Sequence, residues 1–277
     1  MTRLKNSDIR EISTRLTSYE EQLKAAAGKT LLGVACHAYD VSEADILKKI
    51  TGFSIHVIPV TAGQGIITDF SRTVADILLF LGVDARVTDR TDASGLASAY
   101  ESGADAIMLA DDFRFVGINL KTRCVTDNSE VTGRVFAAAL DLMAGGIKDK
   151  PALVMGCGPV GESAAVSLLE RGAELGLYDT DIRAARTLKK RLLKGDPGSG
   201  VDVVESLAAG LSDYPHILEA TPAAGTVPED MLTDQHRIAA PGVPSGISES
   251  GCALLPGRLI HDKLELGVAA MAVGLVV

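Results

Sequence analysis

Hydrophobic positions along this chain follow two alternating rhythms: stripes that recur every three or four residues, and short unbroken apolar runs. From residue 6 to 27, Ile9, Ile12, Leu16, Tyr19 and Leu23 form the apolar stripe of an amphipathic helix, with Asn6 or Ser7 placed to cap its start. A second helix is expected over 41–50. Apolar runs at 55–60, 85–89 and 106–110 read as strands, separated by helical patterns at 69–81 and 93–102. Such alternation predicts a small parallel sheet with right-handed crossovers. A helix over 130–142, with Val131, Val135, Ala138 and Leu142 on one face, ends at Gly145-Gly146 and sets a domain boundary there. Beyond it come strands at 152–155, 175–178, 201–204, 217–220, 238–240 and 259–261.

The run at 152–155 turns directly into Gly156-Cys157-Gly158-Pro159-Val160-Gly161, and a helical pattern follows. A strand that bends at once into a helix needs backbone that tolerates positive φ and admits a ligand closely. Gly156 and Gly158 allow this, and Gly161 lets the helix lie close on the strand. Free N–H groups at the helix start suit a pyrophosphate. Asp179 stands 18 residues beyond Gly161, at the tip of the next strand, where a carboxylate accepts the ribose hydroxyls of an adenosine. Its charge favours NAD over NADP, although Arg183 and Arg186 could offset the repulsion of a 2′-phosphate. The chain therefore reads as α/β with two domains. Residues 1–145 form a small N-terminal α/β domain with a parallel sheet, and residues 146–277 a C-terminal Rossmann dinucleotide-binding domain. Two loops beyond later strand ends, 221–228 opening with Thr221-Pro222 and 241–247 opening with Pro241-Gly242, lie where a nicotinamide and its ribose would rest. As plain proline turns they would carry nothing.

Composition narrows the partners. The 277 residues carry a net charge of -9, which argues against nucleic acid or an anionic membrane. The amino terminus is too charged for a signal peptide and the apolar carboxyl end too short to span a bilayer, so a cytoplasmic protein is expected. The four cysteines, Cys36, Cys124, Cys157 and Cys252, match no metal or redox spacing and read as reduced, half-buried residues. The five histidines form no ligand pair, so no metal is expected. Residues 194–200 read as a surface loop, and the apolar tail 268–277 makes a homodimer a candidate assembly.

In parallel sheets ligands bind beyond the carboxyl ends of the strands. In the first domain those ends carry Thr61-Ala62-Gly63-Gln64-Gly65, Asp89, Asp92 and Asp111-Asp112. Together the runs IPVTAGQGIITDFS (58–71), IMLADD (107–112), GCGPVG (156–161), EATPAAGTVP (219–228) and PGVPSGIS (241–248) resemble the pyrrolysine synthase family over nearly the whole length. The resemblance implies an NAD-dependent enzyme whose small-molecule substrate is a lysine acylated on its side-chain nitrogen by 3-methyl-D-ornithine. The terminal amine of the ornithine part is oxidised, and cyclisation with loss of water gives the pyrroline ring. Hydride leaves a carbon beside an amine only when the nitrogen has a free lone pair, so a carboxylate must attract the ammonium and take its proton. Asp111, at a strand tip facing the cofactor domain and in the family's IMLADD run, is the candidate; the bland alternative is that Asp111 or Asp112 caps the next segment. Against the same chemistry Phe70 walls the carbon chain or is simply core, and Asn128 orients an amide or imine or merely makes a turn. Leu4 and the helix behind it resemble the family's amino-terminal element, which covers the substrate. Within the VTxG run the family carries a hydroxyl residue where Ala62 stands here, so substrate contacts at that point differ.

Two other readings stay open on the residues alone. One is another NAD(P)-linked two-domain dehydrogenase, of amino-acid, shikimate or methylene-tetrahydrofolate type, for which Lys121 is the nearest catalytic lysine but lacks the usual surrounding motif. The other is a non-catalytic NAD-sensing module, which would need the glycine loop and Asp179 but neither Asp111 nor a lid.

Overall fold

A computed structural model describes residues 4–195 and 200–277. The expected surface loop at 194–200 falls outside the described residues from 196 to 199. The chain folds as two compact units. The first runs to Glu21, resumes over Lys29–Val131 and is completed by Lys263–Val277; the second takes Gln22–Gly28 and Thr132–Asp262. This division is interleaved, whereas a boundary at 145 and 146 would make it sequential.

The first unit contains α1 (Asn6–Ile9), α3 (Leu31–Ala38), α4 (Glu43–Ile50), β1 (Ser54–Ile58), α5 (Phe70–Phe80), β2 (Asp84–Val87), α6 (Asp92–Glu101), β3 (Ala106–Ala110), β4 (Phe115–Asn119) and β5 (Val125–Asp127), and both α2 (Ile12–Ala27) and α7 (Asn128–Met143) begin in it and end in the second. The stripe Ile9, Ile12, Leu16, Tyr19, Leu23 is buried as expected, but its helix is broken at Arg10 and Glu11. The cap also differs: Lys5 precedes the first turn, and its N–H donates to Asp8 Oδ2 at 2.7 Å. The sheet has the order β2-β1-β3-β4-β5. The three expected strands are parallel; β4 and β5 extend them as an antiparallel hairpin.

In the second unit, β6 (Pro151–Met155), α8 (Pro159–Glu170), β7 (Glu174–Tyr178), α9 (Ile182–Gly195), β8 (Val201–Val203), α10 (Leu207–Asp213), β9 (His216–Glu219), β10 (Arg237–Ala240), α11 (Glu249–Ala253) and β11 (Leu259–His261) follow in order. All six strands are parallel, in the order β11-β10-β9-β6-β7-β8. The chain steps outward from β6 to β8, then returns to the other side of β6 with β9. The order reverses between β6 and β9, and in such a doubly wound sheet ligands bind outside the strand ends at that point.

The final helix, α12 (Glu265–Gly274), is buried along its whole length and packs on α3, α5, β4 and β5. Most of the apolar tail is therefore core of the first unit, with Val277 left exposed. All four cysteines are free; Cys252 is half-buried as expected, whereas Cys36 and Cys157 are buried and Cys124 is exposed. No helix among the described residues is long and apolar enough to cross a membrane.

Candidate functional site

In the second unit, β6 passes through Gly156, at φ 88°, and Cys157 into Gly158, the N-cap of α8. Pro159 takes the first helical position, where its missing N–H costs nothing. Val160 and Gly161 follow with first-turn N–H groups that have no intrahelical acceptor. A Cβ on Gly156 would meet the carbonyl oxygen of Ala220 at 2.8 Å, whereas one on Gly158 would have nothing within 4 Å. The loop thus has close backbone below and open space above, which fits a dinucleotide pyrophosphate.

Asp179 closes β7 and is tied into this loop. Its Oδ2 accepts the Cys157 N–H at 2.8 Å and its Oδ1 the Asp181 N–H at 2.9 Å. The Cys157 thiol is pushed up to about 12 by burial and then by the charge of Asp179, which leaves it unreactive. Arg183 is paired with Asp181 and Arg186 with Glu205. Thr221, Pro222, Pro241 and Gly242 occupy the loops after β9 and β10. The loops are stitched together, with the Val227 N–H on the Gly246 carbonyl at 3.0 Å and the Gly242 N–H on the Glu219 carbonyl at 3.2 Å.

In the first unit the strand ends gather Ala62, Phe70, Asp111 and Asn128 at one end of the sheet. Asp111 follows β3 and is exposed. Its Oδ1 accepts the N–H groups of Phe113 at 2.8 Å and Arg114 at 2.7 Å. Those two donors, that of Arg114 first, hold its carboxyl below the usual range. Its Oδ2 has no hydrogen-bond partner among the described residues, so a cation can approach it. Asp112 instead braces a neighbouring loop, with its Oδ2 accepting the Gln64 N–H at 2.7 Å and lying over Gly63. Asp92 accepts the Thr61 N–H at 2.8 Å and its hydroxyl at 2.6 Å, which lowers its pKa. These two carboxylates latch the loop that carries exposed Ala62.

Phe70 opens α5 and meets the buried ring of Phe115 edge to face, 5.3 Å between centroids. It is both partly core and partly open. Asn128 opens α7, and its buried Oδ1 has no hydrogen-bond partner, as an acceptor waiting for a donor would. Arg114 reaches the same corner through a 2.9 Å ion pair with Asp127. Leu4 is half-buried just ahead of α1, which packs on α5. Lys121 pairs with Asp105 at 2.5 Å; it follows β4, antiparallel to β3, and so lies at the opposite end of the sheet from Asp111.

Sequence reasoning passed over three groups here. Phe113, beside Asp111, is 84% exposed. Glu219 and Glu265 are both fully buried, each with one carboxyl oxygen lacking a hydrogen bond; Glu265 has Arg15 at 3.8 Å. The available signal was an acid closing or opening an otherwise apolar run.

A family profile described as "Pyrrolysine biosynthesis protein PylD, N-terminal domain" matches residues 8–126. The pyrrolysine synthase of Methanosarcina barkeri is 30% identical over 98% of this chain and 97% of its own. That of Methanosarcina acetivorans is 31% identical over 98% of each. Among solved structures, quinate dehydrogenase from Corynebacterium glutamicum in complex with NAD is similar with a TM-score of 0.55 at 16% identity, covering 81% of this chain and 93% of that one. At that identity the likeness concerns the fold.

Proposed function

The chain belongs to the pyrrolysine synthase family, and from that premise we propose that it is an NAD-dependent dehydrogenase. In this reading it oxidises the terminal amine of L-lysine-Nε-3-methyl-D-ornithine to an imine, hydrolysed to an aldehyde that cyclises with loss of water to pyrrolysine. The observation that carries the reading is Asp111, an ionised and exposed carboxylate with Oδ2 unengaged at the end of β3.

The cofactor would be held by Gly156, Cys157, Gly158, Pro159, Val160 and Gly161 under the pyrophosphate and by Asp179 on the adenosine ribose. Thr221, Pro222, Pro241 and Gly242 would lie at the nicotinamide end. NAD is favoured over NADP because Arg183 and Arg186 are already committed to Asp181 and Glu205, leaving Asp179 to repel a 2′-phosphate. When bound, NAD supplies the two-electron acceptor for the C–H bond beside the amine.

Asp111 draws in the terminal ammonium and takes its proton at Oδ2; being a weak base, it passes that proton on to water. Phe70 and Leu4 cover the carbon chain and exclude water from the reacting carbon. Asn128 Oδ1 accepts an N–H of the substrate. Once the amine carbon is oxidised, water adds to the imine and ammonia leaves. The tethered α-amine then attacks the aldehyde and water is lost, a unimolecular closure that asks little of the protein.

The test is NADH formation with the lysyl-methylornithine amide, run beside shikimate and simple amino acids. Asp111→Asn is expected to lower kcat/KM by about 100-fold or more. A carboxyl held below its ordinary range keeps its charge above that range and loses it only as pH falls through the lowered value. Between about pH 5 and 8, kcat/KM is therefore expected to rise as more free amine forms, without an acid limb from Asp111. Full turnover by Asp111→Asn would remove Asp111 from the role.

A further inference from the structure

At the carboxyl end of β9, beside the point where the strand order reverses, stands an acid that the proposed reaction does not use. Glu219 is 0% exposed. Its Oε1 accepts the Thr221 N–H at 3.0 Å, the Thr221 hydroxyl, and the Thr226 hydroxyl at 3.1 Å. Its Oε2 is buried and meets no donor in hydrogen-bond geometry. That oxygen lies under the neighbouring loop, where a Cβ on Gly242 would approach it to 2.6 Å and one on Gly246 to 2.7 Å.

One carboxyl thus touches both loops, 221–228 through two threonines and 241–247 through two glycines. Its hydrogen-bond donors are hydroxyls and a backbone N–H, and no cation pairs with it among the described residues. A charge in such a place is costly, whereas a protonated acid is far cheaper to bury. Burial raises its pKa, against the hydrogen bonds of Thr221 and Thr226 and the nearby backbone of Gly246, which lower it.

We propose that Glu219 is carried as a neutral carboxylic acid and acts as a positioning residue, holding the two loops in the arrangement that receives the nicotinamide end of the dinucleotide. This rests on the NAD-binding reading above. A neutral acid explains why threonine donors suffice in place of a lysine or arginine, and why the facing positions are glycines: a side chain on either would displace the carboxyl.

Two measurements test it. Infrared difference spectra of wild type against Glu219→Gln at neutral pH should show the C=O stretch of a protonated carboxylic acid in wild type alone, with or without NAD. In kinetics, Glu219→Ala should lose about tenfold or more in kcat/KM for NAD, and Glu219→Gln, isosteric and neutral, should restore most of that loss. Absence of the band, or a Gln variant as impaired as the Ala variant, overturns the proposal. Should Glu219→Ala not fold, the band and the Gln variant decide alone. A wild-type protein that shows the band yet does not bind NAD would sink the cofactor reading and leave the protonation state established.

Discussion

Gly161 and Gly158 stand three residues apart in one loop, yet a methyl group would mean different things at each. On Gly161 it would collide with the carbonyl of Gly156 and come within 3.4 Å of Val154 Cγ1; on Gly158 it would have nothing within 4 Å. Gly161→Ala is thus expected to push α8 off β6 and destabilise the protein by ~1–3 kcal/mol, as overpacking does. Gly158→Ala should leave the thermal midpoint unchanged and still weaken NAD, because it fills space that a pyrophosphate would use. Thermal melts with NAD titrations on both variants check this. If Gly158→Ala bound NAD like wild type, the open face of the loop would not be the seat of the phosphates. The glycines and Asp179 were legible in the sequence because backbone geometry demands particular residue types there. Glu219 was not, since a lone acid after His-Ile-Leu carries no periodic signal and its burial depends on how the two loops after β9 and β10 close over it.

The loop after β1 shows how one element depends on others distant in sequence. Asp92, at the start of α6, and Asp112, just past β3, both accept N–H groups from the Thr61–Gly65 stretch, so neighbouring strand ends fix its shape. Asp112→Ala removes a charge-assisted hydrogen bond on a partly exposed loop, expected to cost ~1 kcal/mol of stability and to raise KM for the amine substrate several-fold more than it lowers kcat. Steady-state kinetics on that variant would show it; an unchanged KM would mean that the loop does not meet substrate. The parallel strands were visible from sequence because burial on both faces writes them as apolar runs. Helix α3 was hidden for the converse reason: seven of its eight residues are buried, so it has no polar face and no stripe. The hairpin β4–β5 was hidden by brevity, since β5 has three residues. The break at Arg10 and Glu11 lies inside a continuous stripe that reads as one helix.

On the scale of the whole chain, the last residues complete the first unit, although most of the second unit separates them in sequence. Leu266, Val268, Met271, Val273 and Leu275 are buried. The Leu275 carbonyl accepts the Asn119 side-chain N–H at 2.8 Å, and the Val276 carbonyl accepts Lys49 Nζ at 2.8 Å. Burying those five side chains contributes roughly 10 kcal/mol at ordinary transfer values, as large as the ~5–15 kcal/mol net stability of a typical domain. A fragment ending near residue 145 would therefore leave α3, α5 and the hairpin with an uncovered apolar face. It is expected to be largely unfolded by circular dichroism and to aggregate, whereas supplying residues 263–277, as a tethered segment or as a peptide in trans, should recover helical signal and a cooperative melt. A fragment 1–145 that melted cooperatively without those residues would show that α12 adds to the first unit without being needed to fold it. The expected outcome explains why a boundary drawn from the end of α7 looked natural: local signals mark where a helix stops, and they carry no record of a segment that returns more than a hundred residues later.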